Sequence, residues 1–273
     1  MKIINLTDEY TKHILNNGDL TSYEKSYPAL FKHYFKYAAK RNNFKKILNE
    51  SEVKNKTSLI LSRLPKIERK FKKSGFDISS LRLVLFVGQG TSNGHAFKDK
   101  REFVVWIPIE TYPTTLQVDV FLTHEIIHAL HYFRSPGFYF NSITEQRIVS
   151  RQLITEGVAT YLTKKIMRMT QGEALWADYL PKVKIKSWLS ECRKKEKELQ
   201  KYILRSFFSS DPEISIYFAK NPENIYEFRA GYYIGLKLVY RMVKFHKLNP
   251  ENLIEMPRKK FEKMILKELK SSV

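Results

Sequence analysis

The stretch Thr123-His124-Glu125-Ile126-Ile127-His128 constrains this chain more than any other. Two histidines stand four residues apart in an apolar run that suits a helix. On a helix, positions i and i+4 share a face one turn apart, so one metal ion can take both imidazoles. Glu125 follows His124 directly and lies about 100° further round the helix. That is too far round for a third ligand, but close enough to reach a metal-bound water. Two imidazoles and an adjacent carboxylate at this spacing form the HExxH pattern, in which the histidines hold zinc and the glutamate is the general base.

Around this stretch the chain has the means to build a large core. It has 273 residues, 43% of them hydrophobic and 14% aromatic, which excludes a disordered polymer. Net charge is +20. A charge of that size attracts polyanions, so nucleic acid or an anionic membrane is a candidate partner, although solvated lysines produce the same count. Between Lys25 and Lys73 there are 15 basic and 3 acidic residues, with no nucleic-acid motif beside them, and lysine-faced helices covering the core are the preferred reading. The one cysteine, Cys192, excludes an intrachain disulfide and reads as a structural thiol. No run approaches the roughly 18 apolar residues of a membrane span, and residues 1–10 carry Asp8 and Glu9 without a signal-peptide core. The expected setting is cytoplasmic.

Periodicity predicts the following elements. Ile3 to Leu6 reads as a strand and Asn16 to Asp19 as a turn. Tyr23 to about Leu48 reads as a helix with Pro28 near its first turn, and Val53 to Phe71 as another that Pro65 could split. Leu81 to Val87 and Glu102 to Ile107 read as strands, joined by a connection carrying Gly88, Gly90 and Asn93-Gly94. The glycines read as turn geometry, since no Gly-Lys-Ser/Thr ending of a phosphate loop follows. A strand beside a metal cleft could also pair with an extended peptide, with Asn93 and His95 near it. The helix bearing the two histidines is expected from about Pro113–Gln117 to Phe133, ended by Arg134-Ser135-Pro136-Gly137. Trp188 to about Phe208 reads as a charged helix, Ser210-Asp211-Pro212 and Asn221-Pro222-Glu223 as helix starts, Tyr226 to His246 as a helix, and Pro257 to Leu269 as a basic amphipathic helix.

A catalytic zinc needs a third protein ligand besides water. His131 follows His128 by three residues, but three side chains from successive turns of a straight helix rarely converge on one ion. Glu145 sits in polar, loop-like surroundings. Glu156 is the preferred ligand, because it stands inside the apolar stretch Gln152 to Leu162, where a carboxylate needs a partner. Gly157 and Ala159 keep that helix narrow enough to pass close to the first.

His124-Glu125-Ile126-Ile127-His128 followed by Glu156-Gly157 resembles the glutamate-zincin metallopeptidases. Within them the chain resembles the predicted zinc-dependent proteases with domain of unknown function 2268. It shares a strand pair before the HExxH helix and a late Gly-Tyr-x-x-Gly helix, here Gly231-Tyr232-Tyr233-Ile234-Gly235. It does not resemble metzincins, because His131 and Arg134 replace their glycine and third histidine. The resemblance covers about residues 81–246. It implies an α+β, mostly helical zincin-like metallopeptidase fold with a small sheet beside the HExxH helix. It implies Zn2+ on His124, His128 and Glu156, Glu125 as general base, and a peptide or protein substrate. It also suggests Tyr232, then Arg229 and Tyr233, as donors to the oxyanion formed on peptide attack. Residues 1–78 are then a basic helical region packed on a catalytic domain at 79–273, or the two form one domain. The rival reading is a nonenzymatic, metal-containing protein associated with nucleic acid or membrane, in which Glu125 has no task.

Overall fold

The computed structural model describes residues 1–272. The fold is α+β and mostly helical, with a small mixed four-stranded sheet beside the helices. The chain divides into two compact units, 1–129 and 130–273, and the boundary falls inside the HExxH helix.

The first unit holds strands β1 (Lys2–Asn5), β2 (Arg82–Phe86), β3 (His95–Asp99) and β4 (Glu102–Pro108). Its helices are α1 (Thr7–Tyr10), α2 (Leu20–Lys25), α3 (Pro28–Tyr37), α4 (Glu50–Lys73), α5 (Thr115–Gln117) and the start of α6 (Thr123–Arg134). The sheet order is β1-β2-β4-β3. β1 runs parallel to β2 in the register Ile3↔Leu83, and β2 runs parallel to β4 in the register Val84↔Trp106. β3 is the antiparallel edge strand, with Ala96 opposite Val105. The apolar runs of β2 and β4 are buried on both faces, as parallel strands require.

Several expectations need correction. The stretch expected as one helix from Tyr23 to Leu48 is two helices followed by a short 3-10 turn at Arg41–Asn43 and irregular chain. Pro28 starts α3, and Tyr27 before it is extended at φ −154° because a proline ring disfavours the helical region in its predecessor. Pro65 does not split α4. The helix runs unbroken through it, held by a capping box at Asn49 and Glu52 and a buried stripe of Val53, Ile60, Leu64, Ile67 and Phe71. Pro65 is on the exposed face, where its missing donor costs least. The connection between the two expected strands itself contains β3.

The second unit holds the end of α6, then α7 (Ile143–Arg147), α8 (Val149–Met167), α9 (Gln171–Trp176), α10 (Lys182–Lys194), α11 (Glu196–Arg205), α12 (Ala230–His246), α13 (Pro250–Glu255) and α14 (Arg258–Ser272). The expected charged helix from Trp188 to Phe208 is broken at Lys195, between α10 and α11. Ser210-Asp211-Pro212 starts no helix, and α12 begins at Ala230 rather than Tyr226. α14 buries Phe261, Ile265 and Leu269, so its apolar stripe is used within the unit. The seam between α8 and α12 is built on glycine. A β-carbon on Gly157 would lie 2.7 Å from the Gly235 carbonyl, and one on Gly235 would lie 2.7 Å from the Leu153 carbonyl. The close pass that Gly157 permits is therefore with α12.

No helix among the described residues is long and apolar enough to cross a membrane.

Candidate metal centre

The helix that carries the centre enters through a clamp. Residues 115–117 form α5, capped by the Thr114 side chain, and 118–122 form a wider π-helical turn that leads directly into α6. Asp119 in this turn is buried and takes the Arg63 guanidinium at 3.0 and 2.8 Å and the Lys66 ammonium at 2.6 Å. Two cations of the basic N-terminal region thus hold the start of the histidine helix. This partner of the charge run leaves no sequence signature, because Asp119 lies 53 to 56 residues from its partners.

His124, Glu125 and His128 follow within the first unit, and all three are buried. Their ligand atoms lie within 4.8 Å of one another, an arrangement able to hold a metal ion. The two imidazoles meet edge to face at 78°, with Nε2 to Nε2 at 3.0 Å. Two nitrogens bound at about 2.05 Å to a tetrahedral zinc stand roughly 3.3 Å apart, so the pair needs only a small opening to accept the ion. Two imidazoles at this spacing suit zinc, and the Glu125 carboxylate lies beside them.

The sheet comes close to the same residues. A β-carbon placed on Gly94 would lie 3.1 Å from Glu125 Cγ and 2.9 Å from Ile107 Cδ1 of β4. Gly94, at φ +131°, lets the chain entering β3 run against the glutamate with no side chain between. Upstream, the loop from β2 is fixed by Glu110. Its carboxylate accepts from the Gly88 and Gly90 amides at 3.0 and 2.9 Å, and Tyr34 Oη accepts from the Gln89 amide at 2.7 Å. Burial pushes the Glu110 carboxyl above its usual range, against the two amides that favour its charged form. Turn geometry explains Gly90, at φ +68°, as the sequence suggests, but the carboxylate that pins the loop was not legible there.

The other sequence-derived candidates lie in the second unit. His131 is fully buried and packs on Phe138 with ring centroids 4.5 Å apart. Glu145 caps its own helix, taking the Asn141 amide at 2.6 Å. Glu156 is half-buried on α8, in a helix whose neighbouring positions are almost all buried. Beside it is a residue that sequence reasoning missed, Tyr217. Burial first, and then the charges of Glu156 and Tyr232, push the Tyr217 hydroxyl well above the ordinary phenol range. Its ring packs on Gly231 and stands 6.2 Å from the Tyr232 ring. Arg229 lies over the Tyr232 and Trp176 rings at 4.4 and 4.8 Å. Tyr233 is buried and donates its hydroxyl to Glu196 at 3.1 Å. The second unit thus packs Tyr217, Tyr232 and Arg229 together, with the Glu156 charge acting on Tyr217, and holds Tyr233 by another carboxylate. Cys192 is buried, its thiol pushed up by burial, as a structural thiol would be.

Neither a curated protein nor a solved structure matches the chain. A family model does match, over residues 63–263, from the middle of α4 into α14. It spans the strand pair, the buried His124-Glu125-His128 cluster and the glycine seam of α8 and α12, and the chain belongs to the family described as Predicted Zn-dependent protease (DUF2268).

Proposed function

We propose that this protein is a zinc-dependent peptidase that hydrolyses peptide bonds with Glu125 as general base. The observation that carries the reading is the buried cluster of His124, Glu125 and His128, with imidazole nitrogens already 3.0 Å apart. His124 and His128 would hold zinc, with Glu156 as third ligand. The position of this half-buried carboxylate between buried residues 153–155 and 157–160 supports Glu156. When bound, zinc supplies a Lewis acid that ionises water near neutral pH and polarises a carbonyl.

The chain's own residues do the rest. Glu125 takes a proton from the attacking water at its carboxylate and returns it to the leaving amine. Its burial keeps bulk water from competing for that proton. Tyr232 is the first choice as donor to the oxyanion, since it shares the Tyr217 cluster with Glu156. Arg229, stacked on the Tyr232 ring, is second. Tyr233 ranks last because its hydroxyl already serves Glu196. β3, the edge strand that begins beside Glu125, offers a backbone on which an extended peptide can lie.

Hydrolysis of a mixed peptide library tests this reading. The protein is expected to cleave, to stop when a chelator removes its metal, and to resume when zinc alone is returned. Cleavage that persists after complete metal removal would contradict it.

A further inference from the structure

Beyond the loop that Glu110 pins, the first unit holds a groove of about 810 Å³. Gln89 and Thr91 of the loop form one wall, and Lys36, Tyr37, Lys40 and Lys45 form much of the other. No carboxylate lines it among the described residues. The three lysines are exposed, and so is Thr91. The wall is well fixed, since Tyr34 Oη takes the Gln89 amide at 2.7 Å and stands 3.3 Å from Thr91 Oγ1, and Gln89 Nε2 donates to the Lys40 carbonyl at 3.3 Å.

The loop that walls this groove continues to the candidate centre. Thr91 is three residues before Gly94, whose backbone runs against Glu125. Three residues span at most about 11 Å. An extended peptide advances about 3.3 Å per residue, so a side chain about three residues from a bond held at Glu125 can come level with Thr91 at the edge of the groove. A carboxylate-free groove with one fixed wall and the Lys40 and Lys45 ammonium groups on the other, beside Lys36 whose ammonium lies over the Tyr37 ring at 4.8 Å, suits carboxylate side chains, and the positive field of the whole chain favours their approach.

We infer that this groove binds acidic side chains of the substrate, about three residues from the bond cut, and that the substrate class is peptides with acidic residues at that distance. The inference rests on the peptidase reading of the adjacent centre. A peptide is favoured over a nucleic acid because the groove is small and joined by three residues to a general base.

The test uses binding, which does not depend on cleavage. Fluorescent peptides of equal length carry four Asp/Glu residues, or Asn/Gln, or Lys in their place, and are titrated into the zinc-loaded Glu125→Gln protein. The acidic peptide is expected to bind about tenfold tighter than the neutral one at low salt, and the margin should shrink as salt rises. The double substitution Lys40→Glu/Lys45→Glu, at two exposed positions, should reverse the order in favour of the Lys peptide. Equal binding of the three peptides, or an acidic preference that survives charge reversal, would overturn the groove. A single-stranded oligonucleotide of equal charge that binds tighter than the acidic peptide and is lost on charge reversal would overturn the peptide assignment. Charge-selective binding without cleavage by the wild-type protein would support the groove and overturn the peptidase reading alone.

Discussion

Single side chains in this protein show what burial does to a titrating group. His33 on α3 is buried against Tyr37, His95, Phe97 and Trp106, and its Nδ1 accepts from the Trp106 indole at 3.3 Å. That bond needs a neutral ring with its proton on Nε2. Burial, and then the Lys36 charge, lower its pKa from 6.5 to about 4. The sign follows from which state takes the proton first. Between pH 6.5 and about 4 the unfolded chain protonates His33 and the folded chain does not, so acid favours unfolding. The stability due to neutral His33 is complete above pH 6.5 and is lost as pH falls toward 4, by about 3 kcal/mol for a shift of this size. Denaturant unfolding from pH 7 to pH 4 should show this loss in the wild type, and His33→Gln should flatten it. An unchanged slope in the variant would show that other groups carry the acid sensitivity. At this scale the HExxH residues were legible because their spacing is itself the chemistry. Tyr217 and Glu110 were not, since each is defined by partners brought to it from distant parts of the chain.

The seam between α8 and α12 rests on Gly157 and Gly235, each of which would place a β-carbon 2.7 Å from backbone of the other helix. Gly157→Ala gains helix propensity of about 1 kcal/mol, but it must push the two helices apart. The net expected loss is about 1–3 kcal/mol, read from the denaturant midpoint, with a similar loss for Gly235→Ala. A stabilised Gly157→Ala protein would mean that the helices do not meet there. The sequence signalled a close helix pass at Gly157, but not that the partner is α12. Elements with a strong period were legible in the same way. β2 and β4 are continuous apolar runs, and α14 has a clean stripe of Phe261, Ile265 and Leu269. β3 was hidden because its five residues, His-Ala-Phe-Lys-Asp, follow turn signals and take their identity from pairing with β4. The α3 boundary was blurred because helical spacing continued past Tyr37 into chain that holds only a 3-10 turn at Arg41–Asn43.

For the whole molecule, charge and family describe different things. The net charge of +20 does not by itself name a partner, and several of its cations are used internally: Arg63 and Lys66 on Asp119, and Arg41 on Glu24 at 2.6 Å. Charge is also concentrated locally, and the groove that Lys40 and Lys45 help to line is one such place. The family match begins at residue 63, within α4, yet β1 from the very start of the described chain is hydrogen-bonded into the same sheet as β2. The N-terminal region therefore completes the sheet that runs beside Glu125. The central claim concerns that glutamate, set between two histidines that can hold zinc without it. The most direct test measures zinc content and peptide cleavage together in the wild type and in Glu125→Gln. About one zinc per chain is expected in both proteins, with cleavage in the wild type and a loss of at least about 100-fold in the variant. A Glu125→Gln protein that keeps its zinc and cleaves at the wild-type rate would contradict that claim.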